Sequence, residues 1–384
     1  MRRHLIPCLA ASLALASCGD SGAESADAAR AAYAAMDYHG ARERLAEALA
    51  SMPGDPDLLV LLARTRLELG DGEGAIGTLD RLAAMDRLPP DAAVLYGEGE
   101  LQRGDIAKGL ARIEGERSAD AWRLRAWAAR QEGDDDAAGR AFASGREAAG
   151  PKAKFNADHA IFLLDHGRIA EAREAANAAR AESPDMVQPL IADGLVAQAE
   201  GRAQAALAAY EAILERMPDH PIALRGMIDV LGQAGRIEEL VPLVERGRRA
   251  RPDDPEFLFL AARVAGEEGD WAQARDILQA GESAISDHLG ASGLYAQALL
   301  ETGQREDALR RLIVLHRQLP EHDELRRLYA RALEETGDRR AAARVIEPLA
   351  TRENARPEDL ALYRGAAQQG ADESGPADMT PAGA

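Results

Sequence analysis

The sequence predicts an all-α fold, a solenoid of roughly ten stacked helix-turn-helix units that ends in a capping helix. The first observation behind this is a turn glycine that recurs every 34 residues, with a single shorter gap of 29 residues. These glycines are Gly70, Gly104, Gly133, Gly167, Gly201, Gly235, Gly269, Gly303 and Gly337. A fixed period of this length indicates one supersecondary unit that is stacked on copies of itself.

The second observation is a pair of small-residue columns, one on each side of the turn. With the turn glycine counted as position 15, position 8 holds Ala29, Ala63, Gly97, Ala126, Ala160, Gly194, Ile228, Ala262, Ala296 and Ala330. Position 20 holds Ala41, Ala75, Gly109, Ala138, Ala172, Ala206, Leu240, Ala274, Ala308 and Ala342. Small side chains at facing positions let the two helix backbones of a hairpin approach closely.

The third observation is a proline at position 32 of five units, where it cannot continue the second helix. These prolines are Pro53, Pro184, Pro218, Pro252 and Pro320. Turn glycine, small columns and proline together resemble the tetratricopeptide repeat family over about residues 22–356. The resemblance implies a right-handed superhelical solenoid whose first helices line a concave groove for partner proteins.

The resemblance also supplies candidate groove residues, because the family lines its groove with positions 2, 5, 9, 12 and 13. Carried over to this chain, they include Arg30, Tyr33, Arg64, Glu68, Glu98, Arg123, Trp127, Arg130, Ile161, Ile191, Arg225, Asp229, Phe259, Arg263, Glu267, Gln297, Arg327 and Arg331. Arginines interspersed with apolar side chains suit an extended peptide or a partner helix. The alternative is an ordinary solvated helix face. The family's clamp for carboxylate tails is absent, because its positions hold residues such as Val60 and Val94.

The N-terminus predicts export and lipid anchoring. Residues 1–17 combine two arginines with an apolar run that is too short to span a bilayer, as in a signal peptide. The run LASC, which ends at Cys18, resembles the bacterial lipoprotein box and implies cleavage before Cys18 and acylation of that residue. The alternative is a secretory signal with a chance cysteine. Gly19, rather than aspartate, follows the cysteine, which by the resemblance favours the outer membrane.

Beyond the signal, we expect a polar tether at 18–24, the solenoid at 25–356, a capping helix at 357–369 and a disordered tail at 370–384. The third unit is short and rich in glycine, which predicts a weak joint near 109–118 where the solenoid bends or its pitch changes. The seventh unit has Ile228 and Leu240 in its two columns. Either its helices stand further apart or its first helix has slipped in register.

The composition excludes some functions and leaves others open. The net charge of −19 repels nucleic acid backbones, so no nucleic acid partner is predicted. Only Cys18 of the two cysteines remains after signal cleavage, so no disulfide is expected. We find none of the common catalytic or phosphate-binding motifs, and we predict neither an enzyme nor a cofactor.

Four short segments could suggest metal or phosphate chemistry, but each has a plainer interpretation. The glycine-rich run 70–74 falls on a turn, and the aspartates at 134–136 start a helix, where carboxylates cap free N–H groups. His159 and His166 are two helical turns apart, too far to share one metal ion. The tripeptide 321–323 (Glu-His-Asp) lies in a loop between units and is weak evidence for metal.

We therefore expect a non-enzymatic scaffold that binds other envelope proteins and is anchored by lipid, facing the periplasm, in the bacterial cell envelope. The layout is also similar to repeat lipoproteins associated with exosortase and exopolysaccharide gene clusters. The alternative is a binding module for polysaccharide or peptidoglycan. Stacked groove aromatics would favour that alternative, but only Tyr33, Trp127 and Phe259 qualify, and they are far apart in sequence.

Overall fold

A computed structural model describes residues 18–372, and within that range the chain forms twenty-one helices and no strand. Its internal contacts divide the chain into two compact units, Met1–Val230 and Leu231–Ala384. We call these the N-terminal unit and the C-terminal unit. The predicted signal peptide at 1–17 lies outside the described residues. None of the described helices is both long enough and apolar enough to cross a membrane.

The N-terminal unit contains six complete helical hairpins. Their helices are α1 (Cys18–Ala34) and α2 (Tyr38–Ser51), α3 (Pro56–Glu68) and α4 (Gly72–Ala84), α5 (Ala92–Gln102) and α6 (Ile106–Arg112), α7 (Ala119–Gln131) and α8 (Asp135–Gly145), α9 (Ala153–Asp165) and α10 (Ile169–Glu182), α11 (Val187–Ala199) and α12 (Ala203–Leu214). The first helices pack side by side, since α3 contacts α5, α5 contacts α7, α7 contacts α9 and α9 contacts α11.

The remaining helices follow the same pattern. They are α13 (Pro221–Gln233), α14 (Ile237–Ala250), α15 (Pro255–Glu267), α16 (Trp271–Ala280), α17 (Leu289–Glu301), α18 (Arg305–Gln318), α19 (Asp323–Glu335), α20 (Arg339–Ala350) and α21 (Pro357–Asp372). In the C-terminal unit α15 pairs with α16, α17 with α18, and α19 with α20. The solenoid of helical hairpins that the sequence predicts is therefore confirmed as the fold class.

The nine turn glycines adopt the left-handed backbone conformation that the repeat requires of them. Their φ angles lie between 68° at Gly235 and 95° at Gly337. This region is open to glycine at no steric cost, and it lets the chain reverse directly after the first helix. In the first hairpin Met36 takes the same place with a φ of 61°, so this turn keeps its geometry with a non-glycine residue.

The two small-residue columns meet inside the hairpins, as predicted. Every alanine in both columns is fully buried. In the third hairpin a Cβ added to Gly97 would lie 3.3 Å from the carbonyl oxygen of Gly109, and one added to Gly109 would lie 3.2 Å from that of Gly97. The two backbones therefore approach too closely for larger side chains at these positions.

Both ends of the repeat region differ from the sequence expectation. The predicted tether at 18–24 is helical, because α1 begins at Cys18. Gly22 packs against the end of α2, where an added Cβ would lie 2.9 Å from the Cβ of Ser51, so tertiary contact extends this alanine-rich helix. The capping helix α21 runs from Pro357 to Asp372, three residues beyond the predicted end. The rest of the predicted tail lies outside the described residues.

The two irregular hairpins behave differently. In the third, α6 has only seven residues, the fewest among the described helices, and the chain then turns until α7 begins. A change of pitch at 109–118 stays a prediction.

In the seventh hairpin, α13 ends two residues before Gly235, the same distance at which α3 ends before Gly70. The first helix of that hairpin therefore keeps its usual distance from the turn glycine.

The inner surface of the N-terminal unit

The first helices of the N-terminal unit share one surface, which we call the inner surface, and a cavity of about 200 Å³ opens on it. Side chains from α1, α3, α5, α7 and α9 line this cavity, among them Tyr33, Glu68, Glu98, Arg123 and Lys154. Each helix contributes through residues of its groove-facing positions, so the 34-residue repeat itself brings them together. Polar and charged groups dominate the lining.

Arg123 lies at the centre of this surface, with only 6% of its side chain exposed. Its Nη2 donates to Glu98 Oε2 at 3.0 Å, and its Nε donates to Asp120 Oδ1 at 3.0 Å. Its Nη1 lies 3.5 Å from Asp158 Oδ2 on α9. One guanidinium therefore joins carboxylates of α5, α7 and α9, and hydrogen bonds of this charge-assisted kind are about twice as strong as neutral ones.

A second group of contacts crosses the inner surface between hairpins that are distant in sequence. The ammonium of Lys154 on α9 donates to Glu68 Oε1 on α3, 86 residues away. Gln188 Nε2 on α11 donates to the other oxygen of Glu68 at 3.0 Å, across 120 residues. These contacts tie the second, fifth and sixth hairpins together, which no local interaction could do.

Burial and neighbouring charge act in opposite directions on these groups. Burial opposes the charge of Arg123, yet the surrounding carboxylates outweigh it and raise the pKa of the guanidinium. Burial likewise opposes ionisation of Glu98, but Arg123 and Lys154 outweigh it and lower its pKa. Asp158 differs: burial raises its pKa, and the adjacent negative charge of Glu98 raises it further. Asp158 therefore keeps its proton to a higher pH than an isolated aspartate does.

A second cavity of about 270 Å³ adjoins the first, on the far side of Arg123. Its walls include Trp127, Arg130, Phe142 and Asp158. Arg130 Nη2 is paired with Asp165 Oδ2 at 2.5 Å, which leaves Asp158 and the half-buried indole of Trp127 facing this space. A carboxylate beside an aromatic face is a combination that attracts a cationic group.

Several other candidate groove residues of this unit are engaged by neighbouring side chains. Arg64 Nη2 donates to both carboxylate oxygens of Asp91, the shorter distance being 2.9 Å. Arg30 pairs with Asp27 at 2.8 Å on its own helix. Two further candidates, Ile161 and Ile191, are half-buried and buried respectively and line neither cavity.

The candidates of the C-terminal unit are not gathered around one of the described cavities. Arg263 lies 5.7 Å from the ring centre of Phe259 and pairs with Glu267 at 3.6 Å. Arg327 donates from Nε to Asp359 Oδ1 on α21 at 2.8 Å, and Arg331 pairs with Glu301 at 2.6 Å. Gln297 lies half-buried on α17. Two candidates that belong to the end of the N-terminal unit, Arg225 and Asp229, lie on α13, and each has an interaction partner.

Five residues that the sequence argument did not name complete the inner surface: Asp91, Asp120, Lys154, Asp158 and Gln188. Four of them occupy position 2 of their units, a position that the family resemblance includes. Lys154 is also one of only three lysines in the chain, and this rarity could have marked it as a candidate in the sequence. Asp158, at position 6, carried no such signal, because only the packing of α7 against α9 brings it to Arg123.

The segments that could have suggested metal chemistry have structural roles. The Asp134 carboxylate accepts a hydrogen bond from the Ala137 backbone N–H at 2.8 Å and so caps α8. His159 stacks on Phe142 with ring centres 4.8 Å apart, and His166 Nδ1 lies 2.8 Å from the carbonyl oxygen of Phe162. His322 Nδ1 accepts from the Leu325 backbone N–H at 3.3 Å. Across residues 18–372, no group of three or more His, Cys, Asp or Glu side chains is placed to hold a metal ion.

Comparison with known proteins identifies the repeats. Residues 32–98 and 197–264 match one tetratricopeptide repeat model, and residues 158–221 match another. Both are models of tetratricopeptide repeats, so these segments of the chain are similar to that family. No curated protein matches the chain.

Solved structures with a similar fold come from varied proteins. The APC/C Cut9-Hcn1 hetero-tetramer shares 12% identity, covers 90% of this chain and 96% of its own, and has a TM-score of 0.47. The pilF protein of Pseudomonas aeruginosa shares 20% identity over 54% of this chain and 96% of its own, with a TM-score of 0.44. Yeast Tom70 shares 11% identity, covers 92% of this chain and 90% of its own, and has a TM-score of 0.45. Because these TM-scores lie below 0.5, no conclusion about this chain follows from the three likenesses.

Proposed function

We propose that this protein is a non-enzymatic scaffold of the bacterial cell envelope, anchored by an acylated Cys18 in the outer membrane, that holds a segment of a partner protein on its inner surface. The observation that carries the binding proposal is the pair of adjoining cavities where five first helices converge, with Trp127 and Asp158 facing the second cavity. Helical hairpins of this family present such surfaces to peptides and helices.

The charges on the inner surface favour a basic partner segment. The central network contains four carboxylates, those of Glu68, Glu98, Asp120 and Asp158, against two cations, Arg123 and Lys154. A lysine or arginine side chain from the partner would supply the missing positive charge beside Asp158 and could lie against the indole of Trp127. The net charge of the whole chain, −19, would attract the same partner over a longer range.

Site-specific photocrosslinking in intact envelopes tests the binding proposal. A photoreactive phenylalanine analogue in place of Trp127 is expected to capture a discrete protein partner. The matched control places the same analogue at Gly77, which lies exposed on α4 with nothing near its added Cβ. The proposal fails if no partner is captured from position 127, or if both positions capture the same set of proteins.

Fractionation of a Cys18→Ser variant tests the anchor separately. Two or more acyl chains give stable membrane attachment, whereas a protein without them is released. We expect the wild-type chain in the membrane fraction with incorporated labelled fatty acid, and the variant without label in the soluble fraction. An unlabelled wild-type chain would contradict lipidation. The partner-binding proposal would not be affected, because photocrosslinking tests it separately.

A further inference from the structure

The largest of the three cavities, about 560 Å³, lies in the C-terminal unit and shares no lining residue with the inner surface. Its walls are α16, the segment 281–288, one side of α17, and α18, so it opens beside the second helices of two consecutive hairpins. We call it the lateral cleft. Its volume falls within the range of ordinary small-molecule sites, about 300–1,000 Å³.

The lateral cleft exists because α16 stops early. It has ten residues, whereas the neighbouring second helices α14 and α18 have fourteen each. The chain leaves the helix at Gly281, where an added Cβ would lie 2.4 Å from a methyl of Leu258, so glycine is needed for this close approach. Ile285 is buried, and its carbonyl accepts a hydrogen bond from Ser292 Oγ at 3.2 Å. The segment is thus held away from α18.

The rim of the lateral cleft carries unused hydrogen-bonding groups. The side chains of Gln279, Ser286, Gln304 and Gln318 line it, and none of them is hydrogen-bonded within the part of the chain that the structure describes. Each glutamine amide offers two donors and one acceptor, and each hydroxyl offers both functions. Four neutral polar side chains with this free capacity therefore converge on a single cavity.

The charged groups of the lateral cleft, by contrast, are already satisfied. Glu282 is paired with Arg311, and Asp307 is paired with Arg310, so the four charges cancel. The guanidinium of Arg311 also lies 4.1 Å from the ring centre of Tyr295, over its face. A charged ligand would meet no unpaired charge here, although these pairs are largely exposed and each contributes little.

An apolar strip completes the lateral cleft. Leu299 and Leu315 lie buried beneath it, and Val314 is 52% exposed at its edge. A flat C–H face would cover it, with hydroxyl groups at its edges reaching the amides on the rim.

From these features we infer that the lateral cleft binds an uncharged oligosaccharide. Sugar hydroxyls both donate and accept, as the free glutamine and serine groups require, and the C–H face of a pyranose ring matches the strip at Val314. The paired charges and the neutral donor and acceptor groups of the rim favour a neutral, hydroxyl-rich ligand. This site is separate from the inner surface and does not depend on the partner-binding proposal.

Saturation-transfer NMR on the full-length chain tests this inference with three neutral probes: cellotetraose, maltotetraose and chitotriose. We expect transfer to at least one of them. A Gln304→Ala, Gln318→Ala double variant should weaken that binding by about thirty-fold, since each of the two lost hydrogen bonds is worth about five-fold in affinity. Gln273→Ala, which removes an exposed amide of α16 outside the cleft, is the matched control and should bind as the wild type does.

Three outcomes would overturn the assignment. The first is that none of the three oligosaccharides binds at millimolar concentration. The second is that the double variant binds as tightly as the wild-type chain while its melting temperature is unchanged. The third is that only a charged polymer such as polygalacturonate, or only a neutral glycine-serine peptide, binds in a manner sensitive to the double substitution.

Discussion

Arg123 shows how much of the inner surface depends on a single residue. Its guanidinium is buried and contacts carboxylates from three helices, so it links three consecutive hairpins. A buried charge of this kind persists only because its partners compensate for lost hydration. The residue that was expected to contact a ligand therefore also stabilises the surface on which the ligand would bind.

Replacing Arg123 with methionine is expected to lower the free energy of unfolding by about 3 kcal/mol, because it leaves buried carboxylates without a counter-ion. Urea unfolding followed by circular dichroism measures this. Arg130→Met on the same helix is the control, since the Arg130–Asp165 pair is substantially exposed and should cost less than about 1 kcal/mol. Equal effects of the two substitutions would show that Arg123 has no special structural role.

His159 predicts a pH dependence of stability. Burial against Phe142 and Phe155, with nearby arginine charges, lowers its pKa from 6.5 to about 4. The folded protein therefore binds fewer protons than the unfolded chain, and this contribution to stability is lost as the pH falls from 6.5 towards 4. Because His159 is partly exposed, we expect a loss of only about 1 kcal/mol between pH 7 and pH 5.

A His159→Gln variant should remove that part of the pH dependence. Thermal melts at pH 7 and pH 5 measure the contribution of His159 to the pH dependence of stability. The His39→Gln variant is the control, since His39 is exposed on α2. The prediction is wrong if the His159→Gln variant loses as much stability on acidification as the wild-type chain.

At the scale of elements, the turn between paired helices is the unit that the sequence repeats most faithfully. Nine glycines occupy the left-handed region, and the residue after the glycine is an aspartate that caps the second helix in five of the hairpins, at Asp71, Asp105, Asp134, Asp270 and Asp338. Both features are local, so they were readable without knowledge of the tertiary structure. Met36 is the exception, because it holds the left-handed conformation with a side chain.

Met36→Gly is expected to raise the free energy of unfolding by about 1 kcal/mol, since an L-residue in the left-handed region is strained by about that amount. The reverse change, Gly167→Met, should lower it by a similar amount, because Gly167 has a φ of 70° and nothing lies near its added Cβ. Urea titrations of both variants check this. A destabilising Met36→Gly would mean that the methionine side chain contributes more by packing than its backbone costs.

The ends of elements were less predictable than their centres. The alternation of helix and turn followed from the repeat, but α1 extends back to Cys18, through residues that we expected to form a tether. Near this end Gly22 packs against Ser51 of α2, a residue of a different helix. Likewise α16 stops at Ala280 because Gly281 fits against Leu258. Such contacts are not visible in the sequence, because they depend on how close neighbouring helices lie.

At the scale of the whole molecule, charge is the dominant property. The chain carries 65 acidic and 46 basic side chains, with a net charge of −19. Many of the ion pairs lie at the surface, where each contributes little, whereas repulsion among the excess carboxylates acts over the whole molecule. We therefore expect added salt to stabilise the protein.

The melting temperature is accordingly expected to rise when sodium chloride is increased from low to moderate concentration, before any specific ion effect sets in. Differential scanning calorimetry in a buffer of low ionic strength measures this, with glycerol of matched viscosity as the control for non-ionic effects. A melting temperature that falls with salt would show that internal ion pairs, such as those of Arg123, outweigh the repulsion.

The sequence alone determined the period of the chain, the type of its elements, the turn geometry and the small-residue seams, because each depends on residues a short distance apart. It also named much of the inner surface through Tyr33, Glu98, Arg123 and Trp127. Only the tertiary structure decided how these side chains are used. It paired Arg123 with three carboxylates and Lys154 with a glutamate 86 residues away, because stacking brings distant hairpins within reach of a side chain.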